Sequence, residues 1–395
     1  MEVRKLYYED CHLREFSARV LDCRAADGGF QIILDATAFY PEGGGQACDT
    51  GTLNGVQVTK VWEAEETVVH LCDAPLSVGA QVQGIIDYDH RFDLMQQHTG
   101  EHIVSGIIHR LFGYHNVGFH MGADMVTIDF DGPIPYEDLA RIEDLANQAV
   151  WEDLDVKCWY PTPEALPQVI YRSKRALPWP VRIVEIPGYD RCACCGVHVA
   201  RTGEVGMIKL FTCVKFHQGV RIEMACGRRA LQYLRRIYDQ NRQVCQAFSA
   251  KPLETGEAAR RMNEALAQEK YRCAGLEKQV FAAIARGFSG RGNVARLAQG
   301  LTGNSLRELA DAIAQVCGGT AAVFSETQDG CGMCLVDHRG DVKALGRALC
   351  DACGGRGGGK EGFFQGSVRA DREAVRAFFQ NRPENWEIDF PAGKC

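Results

Sequence analysis

Residues 92–112 read FDLMQQHTGEHIVSGIIHRLF. Leu94, Met95, His98, His102, Ile103 and Ile107 recur at the three- and four-residue spacing that gathers side chains on one broad helix face. The segment therefore predicts a helix beginning near Phe92. His98 and His102, four residues apart, project two imidazoles from that face about one turn from each other. Such a pair alone is more often structural than metal-binding. A second cluster, CCGVH (194–198), adds Cys194 and His198 at the same spacing. Three nitrogens and one sulfur suit a tetrahedral Zn²⁺, which accepts both donor types. One zinc per chain, held by His98, His102, Cys194 and His198, is the expectation. Cys192 and Cys195 are neighbouring thiols that could replace Cys194, although the four-residue relation to His198 favours Cys194.

HTGEH also matches H-x-x-E-H, the signature of inverted zinc proteases, in which the Glu acts as general base. That chemistry needs a carboxylate from a further helix as third ligand. Cys194 and His198, on a segment that reads as loop and strand, are better third and fourth donors.

With 395 residues, the chain has room for two or three domains that each bury a core. Its 46% hydrophobic and 24% charged residues are those of a globular protein. A net charge of -7 argues against indiscriminate binding of nucleic acid, while leaving room for a local basic face. The first residues lack the apolar run of a signal peptide, and no stretch reaches the roughly 20 apolar residues of a membrane span. The 18 cysteines are scattered, so reduced thiols and a cytoplasmic location without membrane contact are expected.

The patterning predicts an α+β chain in four parts. Residues 1–89 hold short strands with turn punctuation (FQIILDATAFY, GTLNGVQVTKVWEA, TVVHLC, QVQGIIDYD) and read as a small β-barrel. Residues 90–227 read as the α+β domain with all four donors. It includes an amphipathic helix over 136–153 and two strands in MIKLFTCVKFHQGVRIEMAC joined by a turn containing Gly219. Residues 228–288 read as two charged helices broken at Lys251-Pro252, a helical hairpin arm. Residues 289–395 read as a final α/β domain with a glycine-rich loop at 354–359.

Three motifs in order, DATAFYPEGGGQACDTG (35–51), HTGEHIVS (98–105) and CACCGVHVARTGEVG (192–206), resemble the editing half of alanyl-tRNA synthetases. The chain resembles still more closely the freestanding alanyl-tRNA editing proteins in their long form. The likeness is specific over about 1–230 and looser beyond, where GGRGGGKEGFFQG (354–366) is similar to the glycine-rich motif of DHHA1-type domains. The aminoacylation core of the synthetases has no counterpart. The resemblance implies that His98, His102, Cys194 and His198 are zinc ligands. It also implies that Thr37 and Gln46 line an editing pocket that separates serine from alanine. Val197 stands where the family usually has threonine, and Cys195 where it has glycine; neither replaces a ligand.

The implied activity is hydrolysis in trans of the ester on tRNA(Ala) charged with serine or glycine. A non-catalytic tRNA-binding module with structural zinc and the metalloprotease are the competing readings. CGMC (331–334) and CDAC (350–353) have zinc-ribbon spacing, yet the first reads as a strand and the second as a helix end, which argues against a second metal. Arg347, Arg356 and Lys360 around the glycines are candidates for holding RNA phosphates. The C-terminal half is also where a homodimer would form. Without a DHH motif, phosphoesterase chemistry is not expected.

Overall fold

The computed structural model describes residues 3–65, 67–173, 177, 179–301 and 303–391. They form two compact units divided between Gln243 and Val244.

The first unit opens with β1 (Arg4–Lys5), β2 (Glu15–Ala26), β3 (Gly29–Leu34), β4 (Ala36–Thr37), β5 (Gly51–Leu53), β6 (Val56–Ala64), β7 (Thr67–Cys72) and β8 (Gln81–Ile86). Six of these close into a barrel in the order β2-β3-β7-β6-β5-β8. Period-two alternation drives the closure: Phe16, Ala18 and Val20 on β2 and Val82 and Ile86 on β8 point inward, while their neighbours face solvent. The short β1 and β4 pair in parallel beside the barrel.

Helix α1 (Tyr88–Phe112) follows at once. It starts a turn earlier than the apolar periodicity suggests, because the Asp87 side chain caps it by accepting from the His90 amide at 3.2 Å. Strands β9 (Asn116–Met121) and β10 (Val126–Phe130), helix α2 (Asp138–Glu152), and strands β11 (Lys157–Trp159), β12 (Ile183–Ile186), β13 (Asp190–Ala193), β14 (Ile208–Phe216) and β15 (Gly219–Cys226) complete this part. A four-stranded sheet, β14-β15-β10-β9, shares one core with α1 and α2. The β14–β15 turn is made by His217, at φ 51, and Gln218; Gly219 already belongs to β15, so the expected turn lies one step upstream. Helix α3 (Gly227–Phe248) crosses the division between the units.

One buried ion pair ties barrel to helix. Arg91 on α1 donates through Nε and Nη2 to both carboxylate oxygens of Asp49, and both side chains are wholly buried. Arg91 Nη2 also donates to the Ala38 carbonyl. The loop between β4 and β5, with its three glycines, is thus pinned against α1.

The second unit contains α4 (Thr255–Arg286), β16 (Gly292–Ala298), α5 (Gly303–Cys317), β17 (Gly318–Thr327), β18 (Gly330–Val336), α6 (Lys343–Cys353), β19 (Gly355–Lys360), β20 (Phe363–Val368), α7 (Arg372–Gln380) and β21 (Trp386–Asp389). Its sheet runs β19-β20-β18-β17-β16-β21, with separate apolar clusters on its two faces. The glycine-rich run expected as a loop is instead the edge strand β19, paired antiparallel with β20. Its glycines fit because a side chain at Gly357 would meet the Phe364 ring, and one at Gly359 the Phe363 carbonyl.

Candidate functional site

His98 and His102 lie in the buried middle of α1 and are 2% and 3% exposed. The chain leaving β13 passes over them and brings in Cys194 and His198. Two glycines make this approach sterically feasible. A side chain at Gly106 would collide with the Tyr189 carbonyl and Asp190, and one at Gly196 would overlap the His98 ring. One ligand atom from each of His98, His102, Cys194 and His198 falls within 4.8 Å of the others. The His198 ring centroid is 4.5 Å from that of His98 and 4.6 Å from that of His102, and Cys194 Sγ is 3.5 Å from His98 Nε2.

Each imidazole is held by its outer nitrogen. His98 Nδ1 donates to Gln46 Oε1 at 2.8 Å, and the same oxygen accepts from the Val197 amide at 3.2 Å. His102 Nδ1 donates to Asp190 Oδ2 at 2.9 Å, and Asp190 is itself gripped by Arg172 through Nε and Nη2 at 2.7 and 2.8 Å. His198 Nδ1 lies 3.4 Å from Thr99 Oγ1, which also accepts from the Val199 amide. This is the outer-partner pattern of metal-ligating histidines: it fixes the tautomer and frees Nε2 for an ion.

The donor set passes a chemical test for a divalent metal. His198 Nε2 is buried and finds no hydrogen-bond partner among the described residues, a cost that an ion would remove. Burial opposes charge on Cys194, yet His98 and His102 bring its thiol well below the ordinary range, so the thiolate is the favoured form. Burial lowers His198 well below the usual imidazole value and keeps it neutral. Burial would also lower His102, but the Cys194 thiolate and Asp190 together raise it well above that value.

A cavity of about 450 Å³ opens on the cluster. His98, His102 and Cys194 line it, with the Phe119 ring stacked on His98 at 5.3 Å. Glu101 is 5% exposed and lines it too; its Oε1 accepts from Ser105 Oγ at 2.6 Å and from Asn116 Nδ2, and its Oε2 is 3.9 Å from His102 Nε2. Among the described residues, the carboxylate third ligand that the H-x-x-E-H protease reading requires is not part of the four-residue cluster, where Cys194 and His198 join the two histidines. Cys192 sits beside it in a second, overlapping group with His102 and Asp190.

Gln46 reaches the cluster through His98, and neither Gln46 nor Thr37 lines the cavity. Thr37 is wholly buried in the barrel region, and its hydroxyl is already engaged. The Phe39 amide donates to Thr37 Oγ1 at 3.1 Å, Thr37 Oγ1 donates to His70 Nε2 at 2.8 Å, and His70 Nδ1 donates to the Ile32 carbonyl at 3.0 Å. Burial pushes His70 down to about 4, so it is neutral and Nε2 can only accept. The Thr37 hydroxyl, expected to read a substrate hydroxyl, is thus bonded within the barrel region. Asp190, Arg172, Thr99 and His70 were not singled out from sequence; Asp190 lies 88 residues from His102, and nothing in local spacing links them.

In the second unit, Arg347, Arg356 and Lys360 are exposed, the last two on edge strand β19. Cys331 packs on one face of the sheet with Cys350 and Cys353, and Cys334 packs on the other. Among the described residues these four do not form a metal-binding group.

Family models match three stretches. Residues 10–90 match "tRNA synthetases class II (A)", 181–238 the "Threonyl and Alanyl tRNA synthetase second additional domain", and 289–382 the "DHHA1 domain". An alanine–tRNA ligase of Thermofilum pendens is 33% identical over 92% of this chain and 42% of its own length. Alanyl-tRNA editing proteins of Xenopus laevis and Mus musculus are each 28% identical, over 96% and 94% of this chain and 98% and 96% of theirs. The chain thus spans less than half the length of that ligase, and it carries domains shared with the class of alanyl-tRNA synthetases. Along nearly its whole length it resembles the freestanding alanyl-tRNA editing proteins.

Proposed function

We propose that this protein deacylates mischarged tRNA(Ala) in the cytoplasm, hydrolysing the ester of seryl- and glycyl-tRNA(Ala), with one zinc held by His98, His102, Cys194 and His198. The observation that carries this reading is the gathering of those four donors within 4.8 Å, three of them, His98, His102 and Cys194, on the wall of a cavity of about 450 Å³. The end-to-end likeness to editing proteins supports the substrate class.

When bound, zinc supplies Lewis acidity at the cavity wall. The chain's own residues prepare that wall. Gln46, Asp190 and Thr99 orient the three imidazoles, and Arg172 holds Asp190 ionised beside His102. Burial in the middle of α1 limits the contact of His98 and His102 with bulk water. Ser105 and Asn116 fix the Glu101 carboxylate at the same wall as a hydrogen-bond acceptor for a water or for the substrate's ammonium group. Selection of the serine hydroxyl is assigned to Gln46, whose Nε2 is buried and has no partner among the described residues; the Thr37 hydroxyl is already bonded to His70.

Arg347, Arg356 and Lys360 are assigned to RNA phosphates. A homodimer through the C-terminal half is supported by exposed Met262, Leu266, Leu276 and Val280 along α4. Among the described residues no helix is long and apolar enough to cross a membrane. The deciding experiment incubates metal-loaded protein with seryl-, glycyl- and alanyl-tRNA(Ala). Loss of the first two esters and persistence of the third is expected. Survival of all three, with tRNA still bound, would point instead to a non-catalytic RNA-binding module.

A further inference from the structure

Arg182 precedes β12 and is only 7% exposed, yet among the described residues it has no ion pair. Other largely buried arginines of the first unit each face a carboxylate: Arg91 faces Asp49, Arg172 faces Asp190, and Arg229 faces Asp93. Arg182 is held differently. Its Nη1 donates to the carbonyls of Cys194 and Gly196, both at 2.9 Å, and its guanidinium carbon lies 4.5 Å from the centre of the Tyr8 ring. Tyr8 is fixed in turn by donating its hydroxyl to the Cys195 carbonyl at 2.7 Å. The guanidinium is therefore rigid, and Nη2 has no protein acceptor among the described residues. It lines the same cavity as His98, His102 and Cys194, on the side of exposed Cys195.

A desolvated cation without a counter-ion is costly, and a cavity that holds one is suited to a ligand that brings the anion. On the deacylase reading, the ester, the ribose and the base carry no negative charge, and the amino acid carries a positive one. The first anion of the substrate is the phosphodiester on the 5′ side of the terminal nucleoside. We propose that Arg182 is the anchor for that phosphodiester, a positioning residue that sets the terminal nucleoside in the cavity. The proposal rests on the deacylase reading.

The test compares two small substrates on the full-length metal-loaded protein. One is 3′-O-seryl-adenosine, which lacks the phosphodiester; the other is the seryl ester of cytidylyl-(3′→5′)-adenosine, which has it. Wild type is expected to show a kcat/KM about tenfold or more higher for the dinucleotide ester, chiefly through KM. Arg182→Gln should erase that advantage, bringing kcat/KM for the two substrates to the same value, and Arg182→Lys should restore part of it. Metal content and melting temperature are read for each variant, because Nη1 also braces the Cys194 loop. Should either variant lose metal, the wild-type ratio alone decides. Equal wild-type rates on the two substrates, or an equal loss of kcat on both in Arg182→Gln with metal retained, would overturn the anchor and leave the deacylase standing. Failure of wild type on seryl-tRNA(Ala) as well would overturn both.

Discussion

Cys194 stands among three imidazoles whose outer nitrogens each meet a fixed partner, whereas Cys331, Cys334, Cys350 and Cys353 have the more regular spacing and do not converge. In the first unit the donors come from one helix and one loop, and two glycines allow close approach of the backbones. In the second, Cys331 and Cys334 sit three residues apart on a strand, which sends them to opposite faces of the sheet. Burial raises those thiols, Cys331 to about 11 and Cys334 to about 12, so they favour the protonated form. Spacing proposes a metal site; converging elements and outer partners make one.

The largest expected effect tests this contrast directly. Cys194→Ser should reduce bound zinc from one equivalent to near none by elemental analysis, whereas Cys331→Ala and Cys350→Ala should leave it at one. Two equivalents in wild type would break the comparison.

Asp190→Ala probes the outer partners. It leaves His102 Nδ1 unsupported and Arg172 without its counter-ion, so zinc affinity should fall by about 10- to 100-fold in a competition titration with a chelator. Unaltered affinity would mean that the inner donors suffice.

Thr37→Val removes the hydroxyl bonded to His70 Nε2 and should cost about 1–3 kcal/mol in urea denaturation, with serine-over-alanine selectivity preserved. Loss of selectivity without loss of stability would restore Thr37 to the pocket. The same buried group sets a pH dependence. His70 titrates near 4 when folded and near 6.5 when unfolded, so its contribution is fully present above about pH 6.5 and is lost as the pH falls towards 4. A fall of roughly 3 kcal/mol across that window is expected, flattened in His70→Gln.

The smallest effect concerns the exposed basic residues of the second unit. Arg356→Gln should reduce the slope of log affinity for tRNA against log salt by about 1, with zinc and deacylation rate on saturating substrate unchanged.

Much of this architecture is legible in the sequence because it is periodic. Alternation marks the strands of residues 15–86, and the spacing of His98 and His102 with Leu94, Met95 and Ile103 marks α1. Cys194 and His198 are readable because they repeat that spacing and because the motifs resemble a known family. What escaped notice is long-range. Asp190, Arg172, Thr99 and the Arg91–Asp49 pair act across dozens of residues, and their types are ordinary on any surface. The bond from Thr37 to His70 is equally hidden, because a threonine in a strand gives no sign of whether its hydroxyl already has a partner. The glycines of 355–359 were misread as loop because composition hides a strand whose neighbours leave no room for side chains.

Asp49 belongs to the loop between barrel strands, and Arg91 to the helix that supplies two of the four donors. Unfolding either side strands a charge, so the two lose structure in concert. Thermodynamic linkage then couples them: an ion taken up by the native donors makes the barrel harder to melt. The gain is about 1.4 kcal/mol for each tenfold rise in free ion above its dissociation constant. The barrel's melting temperature becomes a gauge of an ion that none of its strands would touch.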